Sequence, residues 1–263
     1  MKKYVTIEKE VGETPLAALE KYRAVHEELT NVPMAYAGRL DPMASGRLLV
    51  LIGEECKKQK TYHELDKVYD FSVLFDVSSD TGDVLGRLSY RSPSNIQNLE
   101  KVIKTFKGDV TFPYPHFSSK TVQGKPLHVW TLEGKIGEIE IPTYTANIRS
   151  LTCTGTETKT GREIAEEALQ KIETIPPVTE ASKALGRDFR RDDVRSDWKV
   201  FKEMHAADTY TIAHFTCVCS SGAYMRTLSE EIAKKVGTEG LAYAIHRTKI
   251  GNYIGLGLWS KTY

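Results

Sequence analysis

The 263-residue chain has few cysteines and no long apolar segment. The four cysteines are Cys56, Cys153, Cys217 and Cys219, and the Cys-x-Cys spacing of the last two fits neither a structural zinc pair nor a redox C-x-x-C motif. No window approaches the ~20 apolar residues that a membrane-spanning helix needs. The N-terminus lacks the apolar core of a signal peptide. These absences predict a reduced, cytoplasmic protein that does not span a membrane.

The chain also lacks an excess of charge of either sign. Thirty-six Lys and Arg residues stand against 35 Asp and Glu residues, which leaves a formal net charge of +1. An RNA-binding surface would therefore have to come from charges that are segregated within the fold. The length and the 40% hydrophobic content suit one large globular domain or two small ones, with an ample core.

Strand and helix patterns mix without a regular βαβ rhythm, which favours an α+β fold over a doubly wound sheet. Strands are predicted at 3–8, 48–52, 67–75, 109–112, 136–141, 145–153 and 210–219. Helices are predicted after Thr14-Pro15, after the capping boxes that begin at Ser94 and Thr160, and after the Ser220-Ser221-Gly222 turn.

Residues 154–207 differ in kind from the rest of the chain. Pro176-Pro177 breaks the segment, and residues 186–198 are dense in charge. We interpret the segment as a helical insertion with an exposed charged arm. Two interpretations of the arm are open. It is either a solvated face of paired charges or an RNA-contacting arm in which Phe189 and Trp198 stack on bases.

Residues 37–50, AGRLDPMASGRLLV, carry most of the functional information. Asp41 lies in a turn rich in Gly, Pro and Ser that runs into an apolar strand. Gly38 and Gly46 permit the backbone angles that a tight loop needs. A carboxylate on a loop held by a rigid strand is a common way to present a catalytic group, although most Asp-Pro pairs only satisfy backbone amides.

Ordered motifs along the chain together resemble those of the TruB-type tRNA pseudouridine synthases. They are Gly38-Arg39-Leu40-Asp41 with its Ala-Ser-Gly, Asp66–Tyr69, Pro115–His128, Cys219–Leu228 and Arg247-Thr248-x-x-Gly251. Their order and spacing agree from about residue 5 to 153 and from 208 to 254. The resemblance implies a single pseudouridine synthase domain over residues 1–263, with a mixed, largely antiparallel central sheet and flanking helices.

The resemblance implies catalytic roles for three residues. Asp41 would be the essential nucleophile, Arg226 would keep its carboxylate charged and aimed, and Tyr69 would stack on the extruded uracil and take the C5 proton. The reaction breaks the C1′–N1 bond, rotates the uracil and rejoins it through C5. Since nothing is oxidised and no group is donated, we expect no cofactor and no metal.

The substrate contacts that the resemblance implies are Tyr36, Gly38, Arg39, Lys120, Tyr224 and Arg247. Among these, Lys120 would contact the phosphate backbone and Tyr224 would line the pocket. Tyr36 stands where the family usually has a histidine that holds the extruded RNA loop. Because only ten residues follow Tyr253, we expect the family's C-terminal PUA domain to be absent.

We therefore predict a monomeric RNA uridine isomerase that acts on the T-arm loop of tRNA without a guide RNA. A second hypothesis is a catalytically idle RNA-binding or RNA-folding protein, although binding alone does not require Asp41, Tyr69 and Arg226 together. A third is a nucleoside or sugar glycosidase. Glycosidases typically need a second acid/base carboxylate, and none of the motif segments supplies an obvious partner for Asp41.

Overall fold

The structure is a computed structural model that describes residues 2–176 and 190–263. The strands are β1 (Tyr4–Lys9), β2 (Met34–Ala37), β3 (Ala44–Ile52), β4 (Asp66–Phe75), β5 (Val77–Ser79), β6 (Leu88–Tyr90), β7 (Gly108–Pro113), β8 (Thr121–Val122), β9 (Lys125–Pro126), β10 (Thr143–Thr160), β11 (Thr209–Cys219), β12 (Gly240–Gly255) and β13 (Leu258–Thr262). The helices are α1 (Pro15–Ala24), α2 (Gln59–His63), α3 (Leu99–Lys104), α4 (Leu127–Leu132), α5 (Gly161–Glu173), α6 (Arg191–Met204) and α7 (Met225–Val236). Within the two described ranges, no helix is both long enough and apolar enough to cross a membrane.

A nine-stranded sheet organises the fold. Its strands run in the order β1-β3-β12-β4-β11-β10-β7, with β2 added beside β3 and β13 beside β12. β12 and β3 pair in parallel, and the other neighbouring pairs described in this sheet are antiparallel. The sheet confirms the predicted α+β class with a mixed, largely antiparallel centre.

Helix α7 is fixed against the middle of the sheet. Leu228 and Ile232 of α7 lie in one buried cluster with Phe71 and Val73 of β4 and Phe215 of β11. Full burial of such side chains contributes roughly 1.5–3 kcal/mol each. This packing holds the first turn of α7 at the end of the sheet where the candidate site forms.

The described part of residues 154–207 contains helices α5 and α6, after the end of β10 at Thr160. Trp198 and Phe201 of α6 are fully buried and pack in one cluster with Ile164 of α5 and with Ile212 of β11. Trp198 is therefore a core residue, and the interpretation in which it stacks on RNA bases is wrong. Phe189 lies outside the described residues.

The described charges of the arm are mostly paired, chiefly with residues of other segments. Arg195 bonds Glu173 through Nε and Nη2 at 2.7 and 2.9 Å, and it also contacts Asp192 at 3.1 Å. Arg87 bonds Asp197 in the same two-pronged way, at 2.7 and 3.1 Å. These contacts support the interpretation of the arm as a face of paired charges.

The helix predicted after Ser94 is present, but its predicted start at the Ser94 capping box is wrong. The Ser94 N–H and hydroxyl both donate to the Asp76 carboxylate, at 2.8 and 2.7 Å, so this serine does not cap a helix. Helix α3 begins later, at Leu99, after Asn98 in a left-handed conformation. A long-range carboxylate has taken the place of the predicted local capping partner.

Two strand predictions also need correction. Residues 136–141 contain a short 3-10 turn, Ile136–Glu138, where a strand was predicted. Strand β10 continues past the predicted end at residue 153, because its polar outer half pairs with β11 up to Thr160 opposite Thr209. Pairing with a neighbouring strand extends β10 where its own hydrophobic pattern is weak.

Gly46 provides a test of the contact between β3 and β12. Its φ is +107°, and a Cβ there would lie 2.4 Å from the Arg247 carbonyl oxygen. We expect Gly46→Ala to lower the free energy of unfolding by roughly 2–3 kcal/mol through strain and overlap. Gly155→Ala is the control, because its Cβ would meet no atom within 4 Å. Urea denaturation that shows equal losses for both variants would contradict this account.

Candidate active site

The structure brings together Asp41 and Arg226, which are 185 positions apart in the sequence. Asp41 lies on the loop between β2 and β3, and Arg226 lies in the first turn of α7. Arg226 Nε donates to Asp41 Oδ2 at 2.7 Å. The Arg226 side chain is 5% exposed, whereas that of Asp41 is 41% exposed. The pair therefore consists of a buried guanidinium and a carboxylate that is open to solvent.

All three nitrogens of the Arg226 guanidinium have acceptors. Nη1 donates to the Thr81 carbonyl at 2.6 Å, and Nη2 donates to the Phe117 carbonyl at 3.2 Å. Asp83 is also buried, with Oδ2 4.0 Å from Arg226 Nε. Burial raises the pKa of the Asp83 carboxyl, while the charge of Arg226 opposes that rise. These contacts hold the guanidinium in one orientation toward Asp41.

Asp83 is the residue that the sequence interpretation missed. Residues 78–83 have the composition of a plain turn, yet the Asp83 carboxylate accepts bonds from the Thr81 hydroxyl at 2.8 Å and the Leu85 N–H at 3.0 Å. Asp83 is a second carboxylate at the site, and it lies outside the motif segments, none of which supplies a carboxylate partner for Asp41. An Asp that bonds its own turn is typical of such sequences, but their composition does not reveal that the turn lies against α7.

A buried ammonium supports the Asp41 loop. Lys9 Nζ donates to the carbonyls of Ala44 at 2.5 Å, Glu10 at 2.9 Å and Pro42 at 3.3 Å. The loop is a turn, in which the Ala44 N–H donates to the Asp41 carbonyl at 3.0 Å. Burial lowers the pKa of Lys9 to about 8, although nearby carboxylates oppose the shift.

Tyr69 and Arg247 face each other across the β4–β12 pairing. Tyr69 is 8% exposed and Arg247 is 1% exposed. Arg247 Nη1 lies 3.5 Å from the Tyr69 hydroxyl, and Nη2 and Nε donate to the Gly38 and Arg47 carbonyls at 3.0 and 2.8 Å. Arg247 is thus an internal support of the loop, whereas the sequence predicted a substrate contact. Burial raises the pKa of Tyr69, so its hydroxyl is protonated at neutral pH.

Tyr224 lies beside the ion pair in a group of tyrosines. Its ring centroid is 5.2 Å from that of Tyr144 and 5.9 Å from that of Tyr114. Burial raises the pKa of Tyr224, and the charge of Asp41 adds to that rise. Lys120 is exposed, with Nζ 5.1 Å from the Tyr114 ring centroid. The predicted residues Tyr224 and Lys120 therefore flank one aromatic wall of the site.

The remaining predicted contacts lie on or before the Asp41 loop. Arg39 is exposed, and Gly38 has a φ of +81° that directs its carbonyl to Arg247. Tyr36 is half-buried on β2 and packs against the cluster that contains Leu19 of α1. In residues 2–176 and 190–263, no three His, Cys, Asp or Glu side chains are grouped to hold a metal ion.

The family model described as "TruB family pseudouridylate synthase (N terminal domain)" matches residues 27–174. The chain belongs to this family. It is 28% identical over 247 residues to tRNA pseudouridine synthase B of Caldicellulosiruptor saccharolyticus, covering 93% of this chain and 66% of that relative. It is 29% identical to tRNA pseudouridine synthase 4 of Saccharomyces cerevisiae over 255 residues, covering 87% of this chain and 62% of that relative.

The chain thus spans about two thirds of the length of the curated relatives that it matches. Among solved structures, a chain from the crystal structure of a Cbf5-Nop10-Gar1 complex is similar, with a TM-score of 0.55 and 13% identity. The similarity covers 94% of this chain and 48% of that one. It supports the fold described above.

The depressed pKa of Lys9 makes a prediction about stability. In the unfolded chain this lysine keeps its ordinary pKa of 10.5, so between about pH 8 and pH 10.5 the unfolded state binds more protons than the folded state. The stability of the wild type relative to Lys9→Met should therefore rise with pH across this window and be least favourable below it. Other titrating groups are present in both proteins and cancel in the difference.

Denaturant midpoints at half-unit steps of pH measure this difference. Lys21→Met is the control for loss of a lysine, since the Lys21 side chain is 72% exposed. A wild-type advantage over Lys9→Met that stayed level or fell between pH 8 and pH 10 would overturn the burial argument.

Proposed function

We propose that this protein isomerises uridine to pseudouridine in RNA, with the T-arm loop of tRNA as its substrate. The observation that carries the proposal is the 2.7 Å contact between the open Asp41 carboxylate and the buried Arg226 guanidinium. Membership of the TruB family supports the reaction. The names of the relatives, which are tRNA pseudouridine synthases, support tRNA as the substrate.

In this proposal Asp41 meets C1′ and C6 of the target nucleoside. A neighbouring guanidinium favours the ionised form of a carboxylate and fixes its direction. Because Arg226 is buried, its attraction for Asp41 is screened less than that of an exposed pair. The exposure of Asp41 leaves its carboxylate accessible to an incoming nucleoside.

We assign Tyr69 to stacking on the extruded uracil, with Tyr224 on an adjacent wall. The raised pKa of Tyr69 keeps its hydroxyl protonated, so the phenolate that would accept a proton is scarce and the ring surface is its stronger contribution. Extrusion of a base costs a few kcal/mol, which stacking and phosphate contacts must offset. The exposed cations Arg39 and Lys120 are the candidates for those phosphate contacts.

We further propose that residues 1–263 act as one catalytic domain, in the cytoplasm, as a monomer and without a guide RNA. Incubation with unmodified tRNA, followed by chemical mapping of pseudouridine and assay of free uracil, tests the reaction. Pseudouridine in the T-arm loop is the expected product. Tight binding without product would instead support the idle RNA-binding protein, and released uracil would support a glycosidase that uses Asp41 and Asp83.

Asp41→Asn should reduce turnover by at least about a thousandfold, because an amide removes the charge that the reaction requires. Affinity for tRNA should change little, since the phosphate contacts remain. Single-turnover rates and a binding titration measure the two effects. Asp192→Asn is the control, because the Asp192 side chain is 99% exposed. A substantial residual rate in Asp41→Asn would remove Asp41 from its proposed role.

Arg226→Lys should slow turnover by about a hundredfold or more. Lysine keeps the charge, but it lacks the planar fork that reaches Asp41 and the Thr81 and Phe117 carbonyls together. The exposed Arg91, which pairs with Glu239 at 2.8 Å, provides the control variant Arg91→Lys. Single-turnover rates on the same tRNA compare the two, and wild-type rates for Arg226→Lys would refute the positioning argument.

A further inference from the structure

Arg190, at the start of α6, contacts two loops from other parts of the chain. Its Nη2 donates to Asp80 Oδ1 at 3.0 Å, and its Nη1 donates to Oδ2 of the same carboxylate. Its guanidinium carbon lies 4.6 Å from the centroid of the Phe117 ring. The Arg190 side chain is 10% exposed. One nearly buried arginine therefore joins the β5–β6 loop to the β7–β8 loop.

These two loops are the ones that hold Arg226. Asp80 directly precedes Thr81, whose carbonyl accepts from Arg226 Nη1 at 2.6 Å. The Phe117 residue that stacks on Arg190 supplies its own carbonyl to Arg226 Nη2 at 3.2 Å. Arg190 belongs to the insertion and thus contacts the same two loops whose carbonyls orient Arg226 in the site.

Further contacts fix α6 against the β5–β6 loop. The Trp198 indole donates to the Val84 carbonyl at 2.9 Å, and the Asp197 carboxylate accepts from the Leu88 N–H at 3.0 Å. Trp198 is fully buried, so this anchor is part of the core. Because α6 is held in this way, Arg190 is presented to the loops from a rigid support.

The backbone of Arg190 adopts a conformation that is rare for its residue type. Its φ is +55°, in the left-handed region that non-glycine residues rarely adopt, and its side chain makes no capping bond to α6. Such a conformation persists where the surroundings over-determine it. The guanidinium bonds Asp80 and stacks on Phe117 instead of capping its own helix.

We propose that Arg190 is a positioning residue for the reaction, through which the insertion holds the Thr81 and Phe117 carbonyls where they orient Arg226 against Asp41. This inference rests on the proposed function, since it assigns Arg190 to the same site. It gives the charged insertion a role in catalysis without contact with RNA. Loss of Arg190 should let the two loops shift and should weaken the alignment of Arg226.

The first test compares Arg190→Ala and Arg190→Lys with the wild type on unmodified tRNA. We expect kcat to fall by about 10- to 100-fold in both variants, because small displacements of catalytic groups cost rate steeply. Lysine should not rescue, as it lacks the two-pronged bond to Asp80 and the planar stack on Phe117. KM for tRNA should stay within about threefold of wild type, because Arg190 does not touch substrate in this account.

Arg195→Ala is the matched control, since Arg195 lies on the same helix and forms a similar two-pronged pair with Glu173. It should keep wild-type kcat, and thermal melts of both variants show how much stability each loses. A kcat for Arg190→Ala equal to that of Arg195→Ala would overturn the inference. So would a loss of activity that appears in KM alone, or full rescue by Arg190→Lys.

A second readout does not depend on activity. The Arg226 Nε–H, assigned by its disappearance in Arg226→Lys, should exchange slowly with solvent in nitrogen-15 NMR spectra because it is bonded to Asp41. Exchange should accelerate in Arg190→Ala and stay slow in Arg195→Ala. Unchanged exchange in Arg190→Ala would contradict the inference. If the wild-type protein makes no pseudouridine but exchange is still faster in Arg190→Ala, the positioning role is supported and the proposed function is refuted.

Discussion

The buried guanidinium of Arg226 needs acceptors from several separate parts of the chain, and the rest of the site is arranged around that need. A buried charge is costly unless it is paired and hydrogen-bonded. Its acceptors come from the β2–β3 loop, the β5–β6 loop and the β7–β8 loop. Each loop must therefore close on the first turn of α7 for the helix to pack as it does.

A second group of buried cations lies under the Asp41 loop. Lys9 and Arg247 direct their donors to carbonyls of the loop, and Lys67 donates to the carbonyls of His63 and Leu65 nearby. Burial, together with the charge of Arg247, lowers the pKa of Lys67 to about 8. A chain with a net charge of +1 thus concentrates positive charge beneath one loop. Overall composition hides this segregation of charge.

Much of the fold followed from local patterns in the sequence. Strands β4 and β11 alternate strongly, and α7 has a clear apolar stripe that ends at Gly237, whose φ is +94°. The pairing of Asp41 with Arg226 was predicted from the resemblance of ordered motifs. Local sequence patterns alone did not predict it. Where the local signal was weak, as at residues 136–141, the prediction failed.

Other features were beyond reach because their causes are long-range. Ser94 donates to Asp76, 18 positions away, and therefore does not begin the expected helix. The support of the loop by Lys9 and the approach of Asp83 to Arg226 depend on how separate elements pack. The contact between Arg190 and Asp80 spans 110 positions, so the charge pattern of the insertion gave no sign of its partner.

The central claim is that the site at Asp41 and Arg226 receives an extruded uridine. A crystal structure of the Asp41→Asn protein bound to a tRNA T-arm hairpin tests it most directly. The account predicts C1′ and C6 of the target nucleotide within about 3.5 Å of the residue 41 side chain, the separation of reacting atoms in a bound near-attack geometry. It also predicts that the uracil lies on the Tyr69 ring. A target base that stays stacked in the RNA, or that binds on another face of the protein, would contradict it.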